Sequence, residues 1–200
     1  MSKFRMPYSF AIWYIALLAT AIFSLACDSL PKEAESSASP DRGLLLAANQ
    51  KAMKEALDVP LPGIDGKTMK IGDFKGKVVV LDFWATWCGP CRKQVPELVK
   101  LHERYRDQGL EVVGLTIEEK SEQKKVEDFK KEFNINYTVG FSNRWLQETF
   151  FKGSEDETGQ PPIPQLFVIS RDGRVVDHLF ASDPPQNLEK VVRQELVAAR

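Results

Sequence analysis

Cysteine is scarce in this chain of 200 residues, which has three, at positions 27, 88 and 91. Cys27 lies beside an N-terminal apolar run, so the rest of the chain holds only the close pair Cys88 and Cys91. Secreted domains that depend on disulfides for stability carry several pairs. We therefore exclude a disulfide-stabilised scaffold and interpret this single close pair as redox-active.

An excess of charge of one sign is also lacking, since 27 basic residues stand against 28 acidic ones. This balance gives no electrostatic reason to expect nucleic acid as a partner. The two histidines, His102 and His178, are poorly spaced from the cysteines for a zinc site, which needs two ligands beyond a Cys pair. We predict no metal and no cofactor, and assign no role to either histidine.

The one long apolar run begins at Phe10 and ends at Ala26, after Lys3 and Arg5. The residues that close it, Ser24 to Cys27, resemble a bacterial lipoprotein box, in which the cysteine is lipidated, although Ser24 stands where leucine is usual. An uncleaved anchor and a cleaved signal peptide are the alternatives. All three keep the basic end inside and carry the remainder across the membrane.

Composition divides the chain into a signal peptide or anchor (1–26), a tether (27–58) and one domain (59–200). Within the tether we predict a short helix over 44–57, with Leu45, Ala48, Ala52 and Leu57 on its inner side. Asp65-Gly66 is a hairpin signal. Beyond it, strands alternate with helices, as in an α/β three-layer domain. The predicted strands are 77–84, 110–117, 137–140, 165–170 and 174–180, and the helices 89–107, 121–133, 143–151 and 186–199.

The most informative segment is Trp87-Cys88-Gly89-Pro90-Cys91, which lies where the apolar strand gives way to a helix. The positive end of that helix stabilises a thiolate at the first cysteine. Cys88 is therefore the candidate nucleophile, with Cys91 one helical turn further on. Proline suits the first turn of a helix, where its missing N–H has no consequence.

A carboxylate interrupts the apolar strand at Asp82. Burial among valines and leucine would raise its pKa by desolvation. The alternative is a solvated aspartate at a strand end.

Residues 82–91 resemble the active site of thioredoxin. Pro96 matches the proline that kinks the active-site helix of that family, and Ile163-Pro164 resembles its cis-proline. The hairpin and the extra helix and strand near 121–140 are closer to the membrane-tethered ResA/TlpA-like group, which is related to AhpC/TSA proteins. The resemblance covers about 59–199 and implies a thioredoxin fold, a central mixed sheet between helical layers.

The resemblance also implies a division of roles. Cys88 would attack a substrate disulfide, Cys91 would resolve the mixed disulfide, and Asp82 would relay a proton to Cys91. The backbone of Ile163 would pair with an extended substrate segment. The substrate contacts expected from the motif are Trp87, Gly89, Pro90, Ile163 and Pro164, while Trp84 is a core residue and loop 152–162 borders the site.

Two positions depart from the ResA/TlpA-like pattern. Many of those proteins carry asparagine where this chain has Asp82. The ResA branch has a glutamate three residues after its second cysteine, where this chain has Gln94. Because Gln94 cannot titrate, it cannot supply the acid-dependent tuning of the ResA branch, and Asp82 is the candidate to replace it.

Together these features predict a membrane-anchored, extracytoplasmic, monomeric thiol-disulfide oxidoreductase that acts as a reductant, with disulfide-bearing proteins as substrates and a membrane electron donor. The resemblance extends the substrates to the haem-attachment cysteines of apocytochrome c. The alternatives are a disulfide oxidase or isomerase and a non-catalytic thiol metal-binding module, although no Met or His cluster accompanies the pair. A peroxidase is discounted because Ala85 stands where its motif requires threonine.

Overall fold

The computed structural model describes residues 40–154 and 162–198, with side chains from residue 43 onward. Five α-helices are described: α1 (Pro40–Ala56), α2 (Gly89–Tyr105), α3 (Gln123–Glu132), α4 (Arg144–Phe150) and α5 (Pro185–Ala198). The described strands are β1 (Leu61–Pro62), β2 (Thr68–Met69), β3 (Val78–Trp84), β4 (Leu110–Thr116), β5 (Thr138–Phe141), β6 (Gln165–Ile169) and β7 (Val175–Phe180). The strands and helices predicted after residue 59 are confirmed. Most of their observed ends lie within about two residues of the predicted ones.

The main sheet has five strands in the order β5-β4-β3-β6-β7. Strands β3, β4 and β5 run parallel, whereas β6 pairs antiparallel with both β3 and β7, so the sheet is mixed as predicted. Strands β1 and β2 form the predicted hairpin. Because β3, β4 and β5 are parallel, their carboxyl ends meet at one edge of the sheet, where α/β proteins place their sites.

Two apolar clusters cover the two faces of this sheet. Alternate residues of β3 point to opposite faces. Val78, Val80 and Trp84 join α2, α3 and α5 in the first cluster. Val79, Leu81 and Phe83 join α1 and α4 in the second. The arrangement is the predicted three-layer α/β/α architecture.

Helix α1 is present, but its predicted inner face is wrong except at Leu57, which is buried directly after the helix. Leu45, Ala48 and Ala52 are exposed, and the buried positions within the helix are instead Leu46, Met53 and Ala56. The Gln50 side chain explains the orientation, because it donates to the carbonyl of Val175 and accepts from the N–H of the same residue. This amide thus satisfies both backbone groups of a residue on the outer strand β7 and turns the helix toward it.

Replacing Gln50 with alanine should lower the free energy of unfolding by about 1–3 kcal/mol, since it leaves two partly buried backbone groups of Val175 without their partner. Urea denaturation of the full chain measures the change. Lys51→Ala, on the exposed side of the same helix, is the matched control and should stay within about 0.5 kcal/mol of wild type. Equal effects of the two substitutions would contradict this role for Gln50.

No helix in the described ranges is long and apolar enough to cross a membrane. The apolar run 10–26, Cys27 and most of loop 152–162 lie outside the described residues. The predictions made for those segments therefore remain predictions.

Candidate active site

Cys88 and Cys91 are joined by a disulfide in this structure, with an S–S distance of 2.04 Å and a Cα–Cα distance of 5.3 Å. Cys88 is the N-cap residue of α2, in an extended backbone conformation, and its Sγ accepts a hydrogen bond from the N–H of Cys91 at 3.2 Å. A sulfur at this position lies at the positive end of the helix dipole and accepts a hydrogen bond from a backbone N–H. Both interactions stabilise the thiolate relative to the thiol.

The local sequence explains why the helix begins there. Pro90 lies in the first turn of α2, where a residue without an N–H is tolerated. Pro96 lies inside the helix, which continues through it to Tyr105. Cys91, Val95 and Leu98 follow at helical spacing and are buried against the sheet, so the packing of α2 fixes the position of its first turn.

The peptide bond between Ile163 and Pro164 is cis, as the resemblance predicted. The carbonyl oxygen of Ile163 lies 3.6 Å from Cys88 Sγ. The next residue, Gln165, is fully buried, and its side chain donates to the Pro162 carbonyl at 2.9 Å and contacts His178 Nε2 at 2.7 Å. These contacts hold the segment before β6 against the cysteine pair.

Asp82 is 1% exposed, so the alternative of a solvated strand-end aspartate is wrong. Its position between Val80 and Trp84 on β3 directs its side chain to the face of the sheet that α2 and Cys91 cover. The Oδ1 atom has no hydrogen-bond partner among the described residues. Desolvation by burial raises the pKa of Asp82 from 3.8 to about 8. A carboxyl group with this pKa can accept or release a proton near neutral pH.

The two tryptophans have the environments that we predicted. Trp84 is fully buried, whereas Trp87 is 68% exposed beside Cys88. From Pro90, a groove of about 600 Å³ runs between α2 and α5, and Gln94, Leu98 and Leu179 are among its lining residues. An exposed aromatic ring and an apolar groove thus flank the disulfide. The two cysteine residues are little exposed, at 4% for Cys88 and 1% for Cys91.

A second buried carboxylate, Glu118, was not identified from the sequence. It follows β4 and is 5% exposed. It accepts hydrogen bonds from the backbone and side chain of Thr86, two residues before Cys88. The available signal was topological, because a residue at the carboxyl end of β4 must lie beside the end of the parallel strand β3.

The described residues include no group of three or more His, Cys, Asp or Glu side chains that could hold a metal ion. What the arrangement offers is thiol chemistry. It combines a cysteine at a helix N-terminus, a second cysteine one turn later, a carbonyl beside the first sulfur and a buried acid on the same face of the sheet.

Known proteins are similar to this chain in sequence and in fold. The AhpC/TSA family profile matches residues 52–178. The thiol-disulfide oxidoreductase ResA of Bacillus thuringiensis subsp. konkukian (strain 97-27) is 31% identical over 143 residues, which cover 70% of this chain and 76% of the relative. ResA of Bacillus subtilis (strain 168) is 30% identical over 133 residues, with coverages of 64% and 69%.

Among solved structures, a thioredoxin-family thiol:disulfide interchange protein from Chlorobium tepidum TLS superimposes with a TM-score of 0.59. It is 28% identical, and the match covers 69% of this chain and 92% of that one. Fold and site therefore define a thiol-disulfide oxidoreductase of the thioredoxin fold. The chain belongs to the AhpC/TSA family.

Proposed function

We propose that this protein is a disulfide reductase that is anchored to the membrane and acts outside the cytoplasm on disulfide-bearing proteins. The observation that carries the proposal is the placement of Cys88 at the start of α2, with its Sγ 3.6 Å from the Ile163 carbonyl and bonded to Cys91. A substrate can reach this sulfur beside an exposed tryptophan, while the second sulfur stays inside.

In the first step, the thiolate of reduced Cys88 attacks one sulfur of a substrate disulfide. The Cys88–substrate S–S bond forms as the substrate S–S bond breaks, and the leaving substrate thiolate takes a proton from water. The N-terminus of α2 and the Cys91 N–H stabilise the attacking thiolate. The Ile163 carbonyl and Trp87 lie where an extended segment of the substrate would contact the protein.

In the second step, Cys91 attacks Cys88 Sγ and closes the disulfide seen in this structure. The Cys91 thiol must first lose its proton. The ionised fraction of Asp82, whose side chain lies on the same face of the sheet as Cys91, accepts this proton. The second substrate sulfur leaves as a thiolate and is protonated by water. In sum, two electrons pass from the cysteine pair to the substrate. The two substrate sulfurs take their protons from water, while the Cys91 proton passes to Asp82, which later releases it to the solvent.

The direction of the reaction is a proposal from the residues around the sulfurs. Gly89-Pro90 between the cysteines and Ile163 before Pro164 resemble reducing members of the thioredoxin group. A reductase that ends each cycle as a disulfide needs an electron donor, and outside the cytoplasm this donor must pass electrons through the membrane. The haem-attachment cysteines of apocytochromes c are the substrate class that we propose from the ResA/TlpA-like resemblance.

The location rests on the N-terminal segment. Lys3 and Arg5 before the apolar run 10–26 support transfer of the remainder across the membrane, and Cys27 supports lipid attachment. The predicted tether then connects Cys27 to helix α1, and we propose that the domain acts as a monomer.

The test is single-turnover reduction of a protein disulfide. Full-length protein, reduced and freed of reductant, is mixed with insulin, and the insulin thiols are counted. We expect one insulin disulfide to be reduced for each protein molecule and none with Cys88→Ser. Absence of reduction by the wild-type protein, or equal reduction by the variant, would overturn the proposal.

A further inference from the structure

Glu118 is a buried ionisable group that the two-step reaction does not use. One carboxylate oxygen accepts from the Thr86 N–H at 3.2 Å and from the Thr116 hydroxyl at 2.7 Å. The other oxygen accepts from the Thr86 hydroxyl. This buried carboxylate therefore accepts three hydrogen bonds, two of them from the loop that carries Cys88. It is a structural part of that loop and not a surface charge.

These bonds connect two neighbouring strand ends. The N–H of Ile117 donates to the Trp84 carbonyl at 3.0 Å, which extends the pairing of β3 and β4 by one residue. The next residue, Glu118, accepts the hydrogen bond from the Thr86 N–H. The next turn is closed by Cys88, whose N–H donates to the Ala85 carbonyl at 3.2 Å. The position of Cys88 at the start of α2 is thus tied to β4 through Glu118.

We propose that Glu118 is a positioning residue of the redox site, which fixes the loop before Cys88 and whose negative charge opposes the Cys88 thiolate and so makes the pair more reducing. The inference rests on the proposed function for its reaction. It concerns a residue that neither the motif nor the disulfide itself points to.

The sign of the electrostatic effect follows from the charge. A carboxylate bonded to Thr86, two residues before the cysteine, disfavours a second negative charge on Sγ. It therefore destabilises the dithiol form relative to the disulfide. The cation Lys125 interacts with Glu118 but is bound first to another carboxylate. Lys125 is ion-paired to Glu122 at 2.5 Å, and Glu119 is exposed. The pKa of Lys125 is raised first by its hydrogen bond to Glu122 and only last by the charge of Glu118.

The substitution Glu118→Gln separates charge from shape. The amide oxygen can accept from the Thr86 N–H and the Thr116 hydroxyl, while its NH₂ donates to a rotated Thr86 hydroxyl. Every contact of the loop is kept and only the charge is lost. Glu118→Ala removes charge and contacts together, and Glu119→Gln removes a charge from the exposed neighbouring residue as a control.

The first measurement is the pH dependence of Cys88 alkylation in the reduced full chain, with Cys91 replaced by alanine in every sample. We expect Glu118→Gln to move the midpoint down by about half a pH unit, the order of magnitude for one charge that acts through partly hydrated surroundings. In chains that keep both cysteines, the equilibrium with glutathione should move toward the dithiol by up to about threefold. Glu119→Gln should change neither quantity measurably.

The second measurement is insulin reduction at saturating insulin. We expect Glu118→Ala to lower kcat about tenfold and Glu118→Gln to restore most of it, which a role in stability alone would not produce. An alkylation midpoint in Glu118→Gln equal to that of Glu119→Gln would overturn the inference, and this comparison decides even if Glu118→Ala fails to fold. Failure of wild-type protein to reduce insulin would overturn the proposed function instead, since the alkylation shift does not depend on it.

Discussion

Replacing Cys91 with alanine is expected to convert the protein from a turnover catalyst into a trap for its substrates. The Cys88 thiolate remains at the start of α2 and still attacks a disulfide, but no second sulfur follows one turn later to release the product. We expect multiple-turnover insulin reduction to fall to background, and a covalent adduct to accumulate that dithiothreitol dissolves. Non-reducing electrophoresis and mass spectrometry of the full chain measure the adduct.

The matched control is the same experiment with both Cys88 and Cys91 replaced. Any adduct that this double variant forms must come from Cys27 and is subtracted. The division of roles would be wrong if Cys88→Ala trapped as much substrate as Cys91→Ala does, because the nucleophile would then be the inner cysteine.

Replacing Asp82 with asparagine is expected to slow the second step about 100-fold at pH 8, the range for loss of a general base. Burial raises the pKa of Asp82 to about 8, so its ionised fraction, and with it the wild-type rate, should rise as the pH approaches 8. Asparagine has nearly the same shape but cannot accept a proton. The rate of the second step in Asp82→Asn should therefore not show the increase with pH that depends on Asp82. Rapid-quench measurement of mixed-disulfide decay isolates the step. A parallel pH profile for both proteins would contradict a proton-transfer role.

The same substitution should change how stability depends on pH. Folded Asp82 has a raised pKa of about 8 against 3.8 when unfolded, so between these values the folded state binds the extra proton. The contribution of Asp82 to stability is therefore greatest below pH 4. It is lost as the pH rises toward 8, by at most about 6 kcal/mol. Asp82→Asn should lose that part of the slope. Urea denaturation of both oxidised proteins between pH 5 and pH 8 tests it, and equal slopes would contradict the raised pKa.

The order of strands and helices was predictable because apolar residues form continuous runs in the strands and repeat at helical spacing in the helices. The run from Val78 to Trp84 is uninterrupted except at Asp82, as expected for a strand covered on both faces. Val95 and Leu98 repeat at helical spacing behind the cysteines. The site at the junction of these elements was predictable for the same reason, since a CxxC motif at a strand-to-helix transition restricts the fold to few alternatives.

Helix α1 shows a feature that such patterns do not predict, namely which side of a helix packs against the sheet. Its sequence contains alanines and leucines on several sides, so no single apolar face dominates. The contact that orients it is the Gln50 amide on the backbone of Val175, 125 residues further along the chain. A polar side chain that hydrogen-bonds to the backbone of another segment produces no periodic pattern in the sequence.

Glu118 was missed for a related reason. It stands beside Glu119 in a charged segment, and adjacent glutamates usually mark solvent-exposed chain. Only the register of β3 against β4 places one of them over Thr86 and the other in solvent. The environment of Asp82 was predictable, by contrast, because its apolar neighbours belong to its own strand.

The direction of electron flow is the central claim, and the reduction potential of the Cys88–Cys91 pair tests it most directly. The full-length protein is equilibrated at pH 7 with glutathione mixtures of known ratio, and the dithiol fraction is measured after acid quenching and alkylation. We expect a potential at the reducing end of the thioredoxin superfamily, close to the value of about −270 mV for thioredoxin. A potential near about −120 mV, the value of a strong disulfide oxidase, would contradict the account.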